Sequence, residues 1–140
     1  MSKRILFDTN ALLDFGATQE ERPRHDSVKR LIEKCVKDDI VMCTSMGSLK
    51  DVYYVLRRLG RSHREACFVV DVLSRLFDCL PLELRHSVHA IASGEPDYED
   101  GLIRAHAELD GMDAIIIHDK KAFAKSSVPR LTADAALASI

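Results

Sequence analysis

Short unbroken apolar runs alternate along this chain with longer segments in which apolar residues recur every three or four positions. Runs at residues 3–7, 40–43, 77–82, 114–117 and 128–131 predict strands, because an unbroken apolar run is typical of a strand covered on both faces. Helical spacing predicts helices over residues 25–37, 48–59, 63–76, 84–92 and 97–109, with shorter helical segments at 11–15 and after 132. This alternation predicts an α/β fold: a three-layer sandwich with a mainly parallel sheet between two helical layers.

The size and composition of the chain are typical of one globular domain. It has 140 residues, of which 46% are hydrophobic and 30% charged. No repeat or long linker divides it, so we expect a single domain over residues 1–140. The formal net charge is −2, so any nucleic acid would have to be bound by a local basic patch.

The chain shows no sign of export or of membrane insertion. Its N-terminal residues lack the apolar stretch of a signal peptide, and no apolar run approaches the ~20 residues needed to span a membrane. We therefore expect a cytoplasmic protein without a membrane partner. In that compartment, the cysteines are expected to be buried thiols: Cys35, Cys43, Cys67 and Cys79. His86 and His89 have no cysteine nearby in sequence, which favours surface histidines of a helix over a zinc site.

Acidic residues follow or flank several of the predicted strands. Asp8 directly follows the first strand, and Asp119 follows the 114–117 run after one intervening residue. Asp51 lies in the helix after the second strand, and Asp97 and Asp100 lie in the first turn of the helix before residue 114. Because open parallel sheets bind ligands beyond the carboxyl ends of their strands, we expect these acids to converge at one edge.

Carboxylates that are held close together favour the binding of a cation. Like charges raise the pKa of one another, and a bound cation removes this repulsion. Ligands that are all oxygen atoms favour a hard ion such as Mg²⁺ or Mn²⁺. Water on such an ion can attack a phosphodiester, so the acids predict metal-assisted phosphodiester hydrolysis.

Each acid also has a structural explanation when it is considered alone. Asp8 suits a turn between a strand and a helix. Asp51, three residues after Ser48, matches the capping-box pattern. Asp97 and Asp100 suit the N-terminus of a helix. The catalytic interpretation therefore depends on the meeting of all four segments and on no single acid.

Several local strings resemble those of a known family. Asp8-Thr9-Asn10 after the first strand, followed in order by the three later acidic segments, resembles the pattern of the PIN domain. The strings "SLKDVYYVLRR", "DYEDGLIRAHAELDGMDAIIIHDKKAF" and "SSVPRLTADAAL" resemble one bacterial subgroup of that family. The resemblance covers nearly the whole chain and implies an α/β/α sandwich with a five-stranded parallel sheet.

The resemblance also implies a ribonuclease that depends on Mg²⁺ or Mn²⁺. The acidic quartet that would be catalytic and bind the metal corresponds to Asp8, Asp51, Asp100 and Asp119, with Asp97 as a further metal candidate. Asn10 would orient the first ligand, and Thr9 and Ser45 would contact waters of the metal. Two positions depart from the usual pattern, since the family usually has Glu at position 51 and Arg at position 118.

Many proteins of the resembled subgroup are toxins of toxin–antitoxin pairs, and many dimerise. The resemblance therefore implies RNA as substrate, with an antitoxin protein and a second copy of the chain as further partners. Two basic clusters are candidates for binding the RNA backbone: Arg57, Arg58 and Arg61 between two predicted helices, and Lys120 and Lys121 after the last acid. A merely solvated basic face is the alternative for these residues.

Two other functions share features with the ribonuclease. Phosphatases of the haloacid-dehalogenase type also begin with a strand and an Asp, but they need a second Asp two residues later, where this chain has Asn10. A catalytically inactive RNA- or partner-binding module on the same fold is compatible with the sequence as well. Metal binding and Asp→Asn substitutions distinguish that module from the enzyme.

Overall fold

The computed structural model describes residues 2–16, 22–119 and 121–140, and it centres on a five-stranded parallel sheet. The strands are β1 (Arg4–Phe7), β2 (Val41–Ser45), β3 (Asp78–Leu80), β4 (Ala114–Ile117) and β5 (Arg130–Thr132). They lie in the order β3-β2-β1-β4-β5, and every neighbouring pair is parallel. The expected α/β fold with a parallel sheet is confirmed.

Helices connect the strands and cover both faces of the sheet. They are α1 (Thr9–Gly16), α2 (His25–Lys37), α3 (Met46–Arg58), α4 (His63–Leu76), α5 (Leu84–Ala92), α6 (Tyr98–Leu109) and α7 (Ala133–Ser139). Within the described ranges, no helix is both long enough and apolar enough to cross a membrane.

The side chains of each strand contribute to two cores, one on each face of the sheet. In β1, Ile5 and Phe7 pack in one core with Leu12 of α1, while Leu6 packs in the other core with Ile103 of α6. Successive residues of a strand point to opposite faces, so an all-apolar strand fills both cores at once. Burial on both faces explains why each predicted strand is an unbroken apolar run in the sequence.

Helix α5 packs closely against α6 at a glycine. A Cβ atom on Gly101 would lie 3.0 Å from the Cβ of Ala90 and 3.2 Å from the carbonyl oxygen of Ala90. A larger residue at 101 would push the two helices apart. The contact therefore fixes the position of the first turn of α6, which carries Asp100.

The junction between β2 and α3 differs from the sequence prediction. Strand β2 extends to Ser45, and α3 begins at Met46 instead of residue 48. The Ser45 Oγ accepts a hydrogen bond from the backbone N–H of Ser48 (3.0 Å), so Ser45 is the N-cap and Ser48 already lies in the helix. The capping-box prediction for Ser48 and Asp51 is therefore wrong, because an equivalent serine lies one turn earlier.

Two predictions about exposure are also wrong. Cys67 is exposed on α4, although Cys35 and Cys43 are buried as expected. His86 is completely buried, although its position in a short helix suggested a surface residue. It occupies the interface between α5 and α6 because a hydrogen-bonding partner, Asp110, lies at the end of α6.

Candidate active site

The order of the strands creates a crevice at the carboxyl ends of β1 and β4. The chain leaves β1 towards β2 on one side, whereas β4 lies on the other side. The connections therefore diverge at this point, which is where open parallel sheets bind ligands. Asp8 follows β1 here, and His118 and Asp119 follow β4.

A cleft of about 270 Å³ lies at this edge, and four carboxylates line it. They come from three elements: Asp8 at the end of β1, Asp51 in α3, and Glu99 and Asp100 in α6. The first turn of α1 contributes Thr9 and Asn10. Three members of the predicted quartet thus share one cleft. We call it the acid cleft.

Asp8 is a buried carboxylate that also caps helix α1. Its backbone N–H donates to the carbonyl oxygen of Ile116 (2.9 Å), which continues the pairing of β1 with β4. Its Oδ1 accepts a hydrogen bond from the backbone N–H of Ala11 (2.7 Å), and the residue is only 6% exposed. A carboxylate has two oxygens with lone pairs, so the capping role and a ligand role are compatible.

Burial and crowding raise the carboxyl pKa values in the acid cleft. Burial raises the pKa of Asp8 to about 7; hydrogen bonds from the backbone of Ala11 and His118 oppose the rise, and the charge of Asp100 adds to it. Burial likewise raises the pKa of Asp100 to about 6, with further contributions from Asp97 and other nearby acids. At neutral pH the fully ionised cleft is therefore unfavourable without a cation.

Asp51 and Glu99 interact across the cleft from α3 and α6. The negative charge of Asp51 is the main cause that raises the pKa of Glu99, ahead of burial. Sequence reasoning missed Glu99. Its signal was the spacing to Ile103, which lies four positions after Glu99 and three after Asp100. Residues at these spacings share one helix face, so a buried Ile103 places both acids towards the cleft.

The two remaining candidate acids lie beside the acid cleft and do not line it. Asp97 is the N-cap of α6, where its Oδ1 accepts a hydrogen bond from the backbone N–H of Asp100 (3.1 Å). Asp119 is exposed in the loop after β4, and its Oδ1 accepts a hydrogen bond from the backbone N–H of Lys121 (3.0 Å). The charge of Asp119 still contributes to the raised pKa of Asp100, so the two groups are close enough to interact.

The hydroxyl groups near the acids form a chain of hydrogen bonds. Thr9 Oγ1 and Ser45 Oγ both bond to Ser48 Oγ, at 3.0 Å and 3.3 Å. Thr9 lines the acid cleft, as its predicted supporting role requires. Ser45 and Ser48 line an adjoining cavity that Thr9 also lines, so these hydrogen bonds connect Ser45 to the acid cleft through Thr9.

Arg58 is the one candidate RNA-binding residue of the described chain that lines the acid cleft. Arg57 is exposed on the same helix, and Arg61 is partly buried just beyond its end. Lys121 is exposed in the loop after β4, and Lys120 lies outside the described residues. Arg58 is therefore the residue best placed to bind a phosphate close to the acids.

A buried carboxylate that sequence reasoning missed, Asp14, joins α1 to the loop after β4. It is 1% exposed, and its Oδ2 accepts a hydrogen bond from Nδ1 of His118 (2.7 Å). Arg22 lies 3.4 Å from its other oxygen, and His25 Nδ1 donates to its main-chain carbonyl (2.9 Å). Because His118 directly precedes Asp119, Asp14 anchors the start of the loop that carries this acid. The signal was an acid within the apolar pattern of residues 11–15.

A second group of ligand-type side chains lies between α5 and α6, and hydrogen bonds occupy it. His86 Nε2 and His106 Nδ1 lie 2.9 Å and 2.7 Å from the same oxygen of Asp110. The backbone N–H of Glu83 donates to His86 Nδ1, so the proton of His86 is on Nε2. Burial lowers the pKa of His106, which favours a neutral ring whose Nδ1 proton bonds Asp110. Both nitrogens that would face a metal therefore carry protons.

The acid cleft, by contrast, has the donor set of a hard divalent cation. The groups best placed to bind one are the carboxylates of Asp8, Asp51, Glu99 and Asp100, and no Cys or His is among the described residues that line the cleft. Mg²⁺ and Mn²⁺ prefer such oxygen ligands. A bound cation would also offset the repulsion that raises the pKa values of Asp8 and Asp100.

Solved structures of toxin–antitoxin proteins share this fold. VapBC2 from Rickettsia felis, bound to promoter DNA, matches with a TM-score of 0.72 and 12% identity over 92% of this chain and 98% of that chain. DNA-bound VapBC from Salmonella typhimurium matches with a TM-score of 0.70 and 16% identity over 95% and 99%. VapC20 from Mycobacterium tuberculosis, a toxin that cleaves the sarcin–ricin loop, matches with a TM-score of 0.67 and 19% identity over 84% and 91%.

The sequence itself matches a family as well. None of the curated proteins matches it. The family model described as the PIN domain, however, matches residues 4–121, a span that includes all the strands except β5 and every acid of the predicted quartet. This chain therefore belongs to the PIN domain family.

Proposed function

We propose that this protein is an endoribonuclease that uses Mg²⁺ or Mn²⁺ to hydrolyse RNA phosphodiester bonds. One observation carries the proposal: the buried carboxylate of Asp8 shares a cleft with Asp100 and Asp51 at the divergence of the β1 and β4 connections. Burial raises the pKa of Asp8 to about 7, so its ionised form is costly at neutral pH unless a cation binds it. Membership of the PIN family and the similarity to VapC20 support RNA as the substrate.

The residues of the acid cleft have different roles in the proposed reaction. Asp8, Asp51 and Asp100 would hold the cation, with Asp119 as the fourth acid of the quartet and with Glu99 and Asp97 next to them. The bound cation would supply a nucleophilic water and neutralise charge on the phosphodiester. Arg58 would bind a phosphate oxygen of the RNA backbone at the same cleft, while Asn10 would orient Asp8 and Thr9 would contact water on the cation.

The protein acts as the toxin of a toxin–antitoxin pair in this proposal. The solved structures that it resembles include toxin–antitoxin complexes. Apolar side chains exposed on α3 and α4 support a protein partner at that helix pair, since Tyr54 is 58% and Phe68 69% exposed. The exposed stripe of Leu84, Val88 and Ile91 on α5 offers a second apolar surface, which suits a homodimer.

Asp51→Asn and Asp100→Asn are expected to lose RNA cleavage. Each substitution removes one negative ligand from the cation while it keeps the shape of the side chain. Loss of several kcal/mol of metal-derived transition-state stabilisation corresponds to a rate reduction of about a hundred-fold or more. The measurement is the degradation of total bacterial RNA in Mn²⁺, followed on denaturing gels with purified full-length protein.

Asp38→Asn is the matched control for these variants. Asp38 follows α2 at the opposite edge of the sheet, where its carboxylate pairs with Lys34 at the surface. This variant should cleave RNA at the wild-type rate. Equal cleavage by Asp100→Asn and Asp38→Asn would contradict the proposal, and RNA binding without any cleavage by the wild type would favour the inactive binding module.

Arg58→Ala and the double variant Lys120→Ala, Lys121→Ala are expected to bind RNA more weakly and with less salt dependence. Each lost contact to a phosphate should reduce the slope of log K against log salt by about 0.7 for single-stranded RNA. Fluorescence anisotropy with a labelled RNA measures the slope, in the Asp100→Asn background to prevent cleavage. Lys37→Ala, at the end of α2, is the control and should keep the full slope. An unchanged slope for Arg58→Ala would remove it from the RNA interface.

A further inference from the structure

A second cavity of about 320 Å³ adjoins the acid cleft. The two share part of their walls, including Thr9, Asp51, Glu99 and Ile103. Beyond these shared residues, the second cavity extends between the first turn of α3 and the segment before α5, where Gly47 and Leu82 line it. A polymer bound with one phosphate in the acid cleft would therefore place a neighbouring group at this cavity.

The cavity has apolar walls. Leu82, Leu102 and Ile103 contribute aliphatic surface, and Tyr98 contributes its ring. The phenol oxygen of Tyr98 lies 2.6 Å from Ser87 Oγ, so a hydrogen bond holds the ring in place. Aliphatic and aromatic walls suit a flat, uncharged ring, because every nucleobase offers an apolar face for stacking.

Hydrogen-bond donors and acceptors line the rest of the cavity. Thr9, Ser45 and Ser48 together have three hydroxyl protons, but only two hydrogen bonds join their oxygens. At least one hydroxyl proton therefore remains for an acceptor on a ligand. The carboxylates of Asp51 and Glu99 also line the cavity, where they can accept hydrogen bonds from a bound ligand. Lys50 also lines the cavity, and its Nζ lies 3.5 Å from Oδ1 of Asp51. Two carboxylates against one ammonium leave the cavity acidic on balance, which disfavours a phosphate and favours a neutral edge that carries N–H groups.

We propose that this cavity binds one nucleobase of the RNA strand whose phosphodiester lies in the acid cleft, and that it prefers bases with an exocyclic amino group. The inference rests on the proposed function, since it names the part of the substrate next to the scissile bond. The amino group of adenine, cytosine or guanine donates to Asp51 or Glu99, and the free hydroxyl proton binds a ring nitrogen or carbonyl. Uracil has no amino group, and its ring N3–H lies between two carbonyl oxygens that the carboxylates repel, so it is bound less well.

Gly47 provides a substitution that fills the cavity. A Cβ atom added at Gly47 would lie 3.5 Å from Cδ2 of Leu82 and 3.5 Å from Oγ of Ser45, at ordinary contact distance. Both neighbours line the cavity, so a longer side chain at position 47 enters the space where the base would bind. Gly47→Leu is the blocking variant. Gly47→Ala is its matched control, because it makes the same change to the helix backbone but adds only one methyl group.

The experiment measures binding and chemistry separately with full-length protein in Mn²⁺. Fluorescence anisotropy compares labelled trinucleotides of adenosine, cytidine and uridine, with Asp100→Asn added to every protein in this binding assay to prevent cleavage. The wild type and Gly47→Ala should bind the adenosine and cytidine forms about ten-fold more tightly than the uridine form, and Gly47→Leu should lose this difference, with affinity reduced by about ten-fold. Hydrolysis of bis(p-nitrophenyl) phosphate, which has no base, should stay within about two-fold of wild type in both variants.

The outcomes distinguish the two proposals. Equal affinities for the three trinucleotides in wild type, or an unchanged preference in Gly47→Leu, would overturn base binding even if the diester is hydrolysed. An equal loss of trinucleotide binding and diester hydrolysis in Gly47→Leu would also overturn it, since the substitution would then disturb the acid cleft. A base preference that Gly47→Leu abolishes, in a protein that hydrolyses neither substrate, would support the cavity and contradict the nuclease.

Discussion

Asp8→Asn is expected to unfold at a higher temperature than the wild type in EDTA at pH 8, and to lose the stabilisation that Mn²⁺ gives the wild type. At this pH the folded wild type must hold Asp8 as a buried anion close to Asp100, and burial raises the pKa of Asp8 to about 7. The amide of Asn has nearly the same shape and can still accept the hydrogen bond from the backbone of Ala11. The substitution therefore removes the free-energy cost of a buried negative charge and keeps the cap of α1.

The pH dependence of this gain follows from the direction of the pKa shift. A raised pKa in the folded state means that the folded protein binds the proton more tightly than the unfolded chain does. The stability from this proton is fully present below the ordinary carboxyl pKa of 3.8, and it is lost as pH rises through about 7. At 1.36 kcal/mol per pKa unit, the loss is at most about 4 kcal/mol. The difference in the free energy of unfolding between Asp8→Asn and wild type should grow over this pH range.

Addition of Mn²⁺ should narrow the stability difference between the two proteins and close it at about a thousand times the Kd, where the gain of the wild type reaches about 4 kcal/mol. A ligand that binds only the folded state adds about 2.7 kcal/mol at one hundred times its Kd. Wild type and Asp38→Asn should both gain this stability, whereas Asp8→Asn should respond little. Thermal unfolding with EDTA and then across a Mn²⁺ titration measures the effect. If Asp8→Asn is less stable than wild type and neither protein responds to Mn²⁺, Asp8 only stabilises the turn between β1 and α1.

The parallel sheet explains why much of this site could be predicted from the sequence. Each strand is a short apolar run, and an acid directly after such a run must lie at the carboxyl edge of the sheet. Asp8 satisfies this condition through β1. For Asp51 and Asp100 the helix positions sufficed, because the second turn of α3 and the first turn of α6 lie at the same edge. These local rules predicted the fold class and the location of three of the four acids, Asp8, Asp51 and Asp100, at one cleft.

Features that depend on side-chain direction could not be predicted in the same way. Glu99 lies between Asp97 and Asp100 in sequence, and only the packing of Ile103 decides which of these acids enter the cleft. The cap of α3 was misplaced because Ser45 and Ser48 offer the same local signal three residues apart. The choice between them depends on where β2 ends, which the pairing with its neighbours sets.

Long-range pairs are a further class that periodicity does not reveal. His118 and Asp14 are 104 positions apart in sequence, and their hydrogen bond forms only because α1 and β4 pack side by side. The sequence alone marks His118 as a departure from the usual arginine of the family. It does not identify the partner of His118, because no local pattern explains an acid on the buried face of a short helix. The structure thus connects an unusual residue to a buried acid beside the site.

Asp14→Ala is expected to destabilise the protein and to weaken its response to Mn²⁺. The substitution leaves His118 and Arg22 without the carboxylate that they contact, at a cost of about 1–3 kcal/mol for the lost hydrogen bonds. It also frees the start of the loop that carries Asp119. Groups that orient a metal ligand typically change affinity by about 10–100-fold, so the Mn²⁺ midpoint should rise by about ten-fold or more.

Two comparisons separate positioning by Asp14 from a purely structural role. Asp14→Asn can still accept the hydrogen bond from His118 Nδ1, so it should restore most of the Mn²⁺ affinity although it lacks the charge. Val28→Ala, in the core contact of α2, should reduce stability through a cavity and leave the Mn²⁺ midpoint unchanged. If Asp14→Ala and Val28→Ala both unfold more easily but bind Mn²⁺ as wild type does, Asp14 only stabilises the fold. If the midpoint moves in Asp14→Ala alone, the buried carboxylate positions the loop that carries the fourth acid.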